Sequence, residues 1–233
     1  MKVLDAIKIS PDLDTIRKGL HLSKDAEWER VCRLIDQVWP LMEPKAVYRV
    51  SEVTAQHPQG VKVNEILFNS QILKKQVDPK GRVFPYVVTI GDRLERRIRS
   101  CGDILEQYYL DFIGNSALSV LQGRLEDHLS NRYDVPCLSS MAPGSLEEWP
   151  VEEQAPLFSV IGDVKRAIGV SLTDVFLMVP TKSESGIFFP TEGKFYSCRL
   201  CPRENCTNRK AAYDEKAASG LGDRAWPTTA VQR

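Results

Sequence analysis

No stretch of this 233-residue chain approaches the roughly 18 consecutive apolar residues that a membrane-spanning helix requires, so a membrane partner is not expected. Net charge is missing as well. The 31 Lys and Arg balance 31 Asp and Glu, leaving no global field to draw the protein to nucleic acid or anionic lipid. Gly-x-Ser-x-Gly, the P-loop and Gly-x-Gly-x-x-Gly are all absent, which removes the usual signatures of serine hydrolases, P-loop nucleotidases and dinucleotide enzymes. Internal repeats and low-complexity tracts are lacking too. Histidine is scarce, at His21, His57 and His128 only. An apolar leader is also wanting: Met1-Lys2-Val3-Leu4-Asp5 already carries charge, so the sequence predicts a cytoplasmic protein with reduced thiols.

What is present suits a globular chain with a sizeable core, 42% hydrophobic and 27% charged. Residues 2–9 read as a short strand, and Ser10-Pro11-Asp12 as a helix start. Trp28, Val31, Leu34, Ile35, Val38 and Leu41 recur at three- and four-residue steps, predicting an amphipathic helix over 25–43 with Cys32 packed inside it. Residues 46–50 begin a strand. The turn Asp78-Pro79-Lys80-Gly81 leads into an apolar strand over 83–90, weakened near its start by Pro85. A helical region runs from Gly91-Asp92 to about 130, with Gly102 and Gly114 as expected breaks. Another helix is predicted over 152–166, then two extended segments between 170 and 189 joined by Pro180–Ser183. The intermixed elements, without regular β-α-β alternation, predict an α+β fold with a mixed or antiparallel twisted sheet flanked by helices. The expected organisation is an N-terminal strand and helices (1–44), a core (45–212) and a flexible tail (213–233). The pairs Glu147-Glu148 and Glu152-Glu153 read as solvated helix-start residues.

Half of the six cysteines fall within nine residues, Cys198, Cys201 and Cys206, spaced C-x2-C-x4-C. Crowded thiolates need a disulfide or a soft metal ion to take up their charge, and a reducing compartment favours metal. An iron–sulfur cluster is the first reading. Structural zinc and an unmetallated or disulfide state are the alternatives, zinc being disfavoured because no histidine lies near in sequence.

Two further segments are ordinary alone, since a Pro-Gly step is commonly a turn and Ser-x-Ser-Gly commonly a polar loop. One is Ala142-Pro143-Gly144-Ser145. The other runs from Leu172-Thr173 through Met178-Val179-Pro180 to Lys182-Ser183-Glu184-Ser185-Gly186-Ile187-Phe188-Phe189. In this order, with Thr89-Ile90-Gly91-Asp92 upstream and the cysteines and Arg209 downstream, they resemble the reactivation (S-adenosylmethionine-binding) domain of cobalamin-dependent methionine synthase. The likeness spans roughly residues 45–210, and its C-terminal part is similar to shorter stand-alone relatives that carry the same Cys spacing.

The resemblance implies the activation-domain fold and a partner that is a corrinoid protein or a cobalamin-dependent methyltransferase. It implies a cofactor-facing surface of Pro143, Gly144, Thr173, Lys182, Ser183, Ser185 and Gly186 toward the corrinoid (cobalamin). It also implies a fourth thiolate, Cys137, completing a 4Fe-4S site with Cys198, Cys201 and Cys206; Cys101 is the fallback. The family's Arg-Pro-Ala-Pro-Gly-Tyr segment meets Ser140 in place of Arg and Ser145 in place of Tyr. A hydroxyl cannot supply a guanidinium fork, so S-adenosylmethionine is expected to bind weakly or not at all. The function expected is an accessory iron–sulfur protein for reductive reactivation of a corrinoid. The alternatives are a non-catalytic corrinoid- or tetrapyrrole-binding module with a structural metal, and an S-adenosylmethionine-binding activation domain.

Overall fold

The run from Val83 to Ile90 is hydrophobic at both parities, a pattern that suits a strand covered on both faces. The computed structural model describes residues 1–5, 7–204, 206 and 209–219, and puts this run at the centre of a sheet. The strands are β1 (Lys2–Leu4), β2 (Lys45–Tyr48), β3 (Ser51–His57), β4 (Gly60–Val63), β5 (Ile66–Phe68), β6 (Arg82–Thr89), β7 (Leu138–Met141), β8 (Ser171–Leu172), β9 (Met178–Val179) and β10 (Ser183–Pro190). The helices are α1 (Leu13–Gly19), α2 (Asp25–Val38), α3 (Gln71–Gln76), α4 (Arg93–Arg99), α5 (Ile104–Tyr133), α6 (Gln154–Ile161), α7 (Val164–Ile168) and α8 (Glu215–Ser219).

Strand β6 is flanked by β2 and β10, with β1 outside β2 and β7 outside β10. The start of β6 also pairs β3, which continues into the β3–β4–β5 meander, while β8 and β9 form a separate hairpin. All pairings among the described residues are antiparallel, and helices lie against the sheet. The fold is thus α+β with an antiparallel sheet, as expected.

Pro85 sits inside β6 without breaking it. Its carbonyl accepts from the Arg49 N–H at 3.0 Å. The N–H and C=O of a strand residue point to the same side, so the missing donor faces the break between β2 and β3 rather than the β10 ladder.

Alternation along β6 feeds two cores. Phe84, Tyr86 and Val88 join Ala46, Tyr48 and Phe188 under α1, α2 and α5. Val83 and Val87 join Val47, Ile187 and Phe189 under α6 and α7. Helix α2 turns Val31, Leu34, Ile35 and Val38 inward as the periodicity predicts, with a 3-10 turn at 39–41 continuing it. Asp12 caps α1 by accepting from the Thr15 N–H at 3.0 Å. Residues from 1–44 therefore share a core with α5.

The two expected glycine breaks differ. Gly102 does separate α4 from α5, but α5 runs unbroken through Gly114. A Cβ at Gly114 would meet Leu94 at 2.8 Å and the Lys182 stem at 3.2 Å, so this glycine serves close packing. The predicted helix over 152–166 is two helices. Gly162, at φ 115, ends α6, and Asp163 caps α7 through the Arg166 N–H. Of the expected tail, Asp214 bonds Arg199 and precedes α8; residues 220–233 lie outside the described residues.

Candidate ligand cavity

The turn after β7 brings the Pro-Gly segment to the edge of a hollow. Pro143 is buried and Gly144, at φ 79, is exposed. The Ser145 hydroxyl donates to the Ala142 carbonyl at 2.6 Å, closing the turn. Next to it opens a cavity of about 360 Å³, lined by Ser140, Met141, Ala142 and Ser145 on one side and by Phe195, Tyr196, Ser197, Cys198 and Lys210 on another. Tyr86 from β6, Glu184 from β10, and Gln122 and Glu126 from α5 also line it, and Lys194 pairs with Glu126. This volume is within the range of small-molecule sites, roughly 300–1,000 Å³.

The floor is polar, with Tyr86 buried and Gln122 and Glu184 half-buried. The Gln122 amide donates to the Tyr86 hydroxyl at 2.7 Å and to the Glu184 carboxylate, and the Tyr86 hydroxyl lies 3.4 Å from the same carboxylate. Burial pushes the Glu184 carboxyl above the usual carboxylate range, opposed by Lys210 and by the bonds from Tyr86 and Gln122. Burial, joined by the neighbouring Glu184 charge, raises the Tyr86 phenol well above its ordinary value.

The expected corrinoid surface is not one face. The segment 182–186 is no exposed loop: Ser183, Ser185 and Gly186 are buried in the first half of β10, paired with β6. The Ser183 hydroxyl bonds Thr89 at 2.9 Å, and Ser185 donates to Gln154 on α6 at 3.3 Å. A Cβ at Gly186 would lie 2.6 Å from the Met141 carbonyl oxygen, so glycine permits the sheet itself to close. Lys182 is buried, its ammonium bonded to Asp111 at 2.6 Å and Asn115 at 2.7 Å on α5. Thr173 is exposed in the β8–β9 turn, where its hydroxyl accepts from the Leu177 N–H at 3.1 Å. Glu153, expected to be solvated, is buried and accepts from the backbone and side-chain nitrogens of Asn69.

The cysteine loop is organised by a cation. The Arg209 guanidinium donates to the carbonyls of Cys198 (2.9 Å), Cys201 (3.1 Å), Ala211 (3.2 Å) and Arg203. Lys210 donates its N–H to Cys198 Sγ at 3.4 Å. Among the described residues no three Cys, His, Asp or Glu side chains group to hold a metal ion, so a four-thiolate set is not assembled. Cys137 Sγ lies 3.7 Å from Thr191 Oγ1, and Cys101 Sγ lies 3.4 Å from Glu106 at the head of α5. Cys32 is half-buried on α2, and burial raises its thiol pKa.

Sequence reasoning missed Tyr86, Gln122 and Glu184. The signal was the two-residue period of β10, which turns Glu184 away from Ser183 and Ser185.

No family model matches this chain, and no curated protein matches it in sequence. Among solved structures it is similar to the MetH reactivation domain bound to AdoHcy, with a TM-score of 0.62 and 14% identity, over 84% of this chain and 80% of that one. The likeness shows that the two share a fold. No helix among the described residues is long and apolar enough to cross a membrane.

Proposed function

We propose that this chain is a reactivation-type module for cobalamin-dependent methyl transfer, holding an adenosyl ligand of the S-adenosylmethionine type in the cavity beside β7 and β10. One coincidence carries the reading. The Ala142–Ser145 turn, which the sequence matches to the family's Arg-Pro-Ala-Pro-Gly-Tyr segment, rims the cavity, in a fold shared with a domain solved with AdoHcy. Phe195 and Tyr196 offer aromatic surface for a nucleobase, and the Ser140 and Tyr86 hydroxyls and the Gln122 amide offer polar partners. The corrinoid would come from a partner, a corrinoid protein or methyltransferase. Its cobalt(II) would take one electron from a separate one-electron donor protein, and the cobalt(I) so formed would attack the sulfonium methyl, releasing S-adenosylhomocysteine. S-adenosylmethionine would supply the methyl group.

With Ser140 in place of the guanidinium, affinity should fall short of an Arg-bearing site by about one to two decades, the effect of losing one charge-assisted pair worth ~1.5–3 kcal/mol. Calorimetry with S-adenosylmethionine and AdoHcy tests this. Weak binding that tightens about tenfold in Ser140→Arg is expected; no heat with either compound at millimolar concentration overturns the reading.

A second reading, an accessory protein carrying a 4Fe-4S cluster on Cys198, Cys201 and Cys206 with Cys137 as fourth ligand, is favoured by one observation: Arg209 keeps the first two thiols on one tied loop at the cavity rim. Iron and sulfide analysis of anaerobically purified protein tests it. Metal lost in Cys201→Ser would support it, and metal-free parent protein or an unchanged content in the variant would sink it.

A further inference from the structure

The sign of charge on the cavity floor is opposite to what the resemblance implies. Where a guanidinium is expected, Ser140 stands, and a carboxyl, Glu184, is set into the floor from β10. Its bonded partners, Tyr86 and Gln122, are neutral. The other charges around the cavity are accounted for. Glu126 is paired with Lys194, and Lys210, exposed at the rim, acts on Glu184 through its charge but makes no salt bridge with it among the described residues, so the carboxyl has no cation in direct contact. A half-buried carboxyl whose hydrogen-bond donors are both neutral is a costly arrangement, because desolvation disfavours the ionised form. A cation entering the cavity would offset that cost, through an attraction strengthened by low local dielectric.

We infer that Glu184 anchors a cationic group of the ligand, so that the cavity selects an adenosyl compound bearing an amine or sulfonium and does not grip a carboxylate. The inference rests on the proposed adenosyl site and specifies which end of the ligand that site reads. Tyr86 and Gln122 then act as positioning residues, holding the carboxylate from below while leaving it open to the cavity.

The test is calorimetry on the full chain with three compounds: S-adenosylmethionine, its decarboxylated form, and neutral 5′-methylthioadenosine. The decarboxylated cation should bind at least as tightly as S-adenosylmethionine, and both about tenfold or more tighter than 5′-methylthioadenosine. Glu184→Gln keeps shape and removes charge; it should abolish that preference while leaving 5′-methylthioadenosine affinity within about twofold. Equal binding of the neutral and cationic compounds by the parent overturns the inference and leaves the adenosyl site standing. So does loss of tenfold or more on decarboxylation, which would mean that the carboxylate is gripped. A preference that survives in Glu184→Gln also overturns it. If none of the three compounds binds, the proposed function falls and this inference with it.

Discussion

The odd and even positions of β10 make opposite use of one strand. Ser183, Ser185, Ile187 and Phe189 point toward the α6 side, where the serines bond Thr89 and Gln154 and the apolar pair enters the core. Glu184 and Gly186 point toward Tyr86 and the α5 side, and Glu184 opens onto the cavity. The conspicuous Ser-x-Ser-Gly pattern thus divides by parity. Its serines bond β6 and α6, and the residue between them faces the cavity.

The sharpest way to break this comparison is Gly186→Leu. Its Cβ would press on the Met141 carbonyl at 2.6 Å and the Tyr86 hydroxyl at 3.0 Å, with backbone on one side unable to yield. The expected result is a loss of about 3 kcal/mol or more, read as a large fall in melting temperature or loss of soluble protein. A variant melting within about 2 °C of the parent would show that this face has room, and would revive Gly186 as a surface residue.

A smaller effect of the other sign is expected from Glu184→Gln. The folded-state pKa of Glu184 is raised above its ordinary 4.5, so folding favours the protonated form. That contribution is fully present below the unfolded-state value and is lost as pH rises through the folded-state value. The variant should therefore match the parent near pH 4 and melt higher at neutral pH, by about 2–4 °C if ~1 kcal/mol is involved. Melting curves from pH 4 to 8 check this, and a variant less stable than the parent at neutral pH would contradict it.

Ser185→Ala should be the mildest. It removes one long hydrogen bond to Gln154, at 3.3 Å, for a cost of about 0.5–1 kcal/mol with ligand preference unchanged. A change in ligand preference without a change in stability would blur the division between the two faces.

Local signals carried much of the fold. Helix α2 was legible because its apolar period is unbroken, α1 because Asp12 is a cap, and β6 because its apolar run has the length of a strand. The β3–β5 meander escaped because its strands are short and β3 exposes most of its outer half. Gly114 misled because a glycine that admits a neighbouring side chain looks, in sequence, like one that ends a helix. The cavity was hidden for a different reason. Gln122 is 36 residues from Tyr86 and 62 from Glu184, and Tyr86 and Glu184 are 98 apart, so only the β6–β10 register and the packing of α5 bring them together.

Arg209 holds its loop by main-chain oxygens, and this bears on how the protein can change over generations. Carbonyls are common to all residues, so the clamp is blind to the side chains at Arg203 and Glu204, which are exposed and free to drift without altering the path of the chain. The guanidinium has no such latitude: a lysine in its place would present a single ammonium to four separate acceptors and lose the planar fork. The shape of the cysteine segment is thereby inherited through one codon downstream of it.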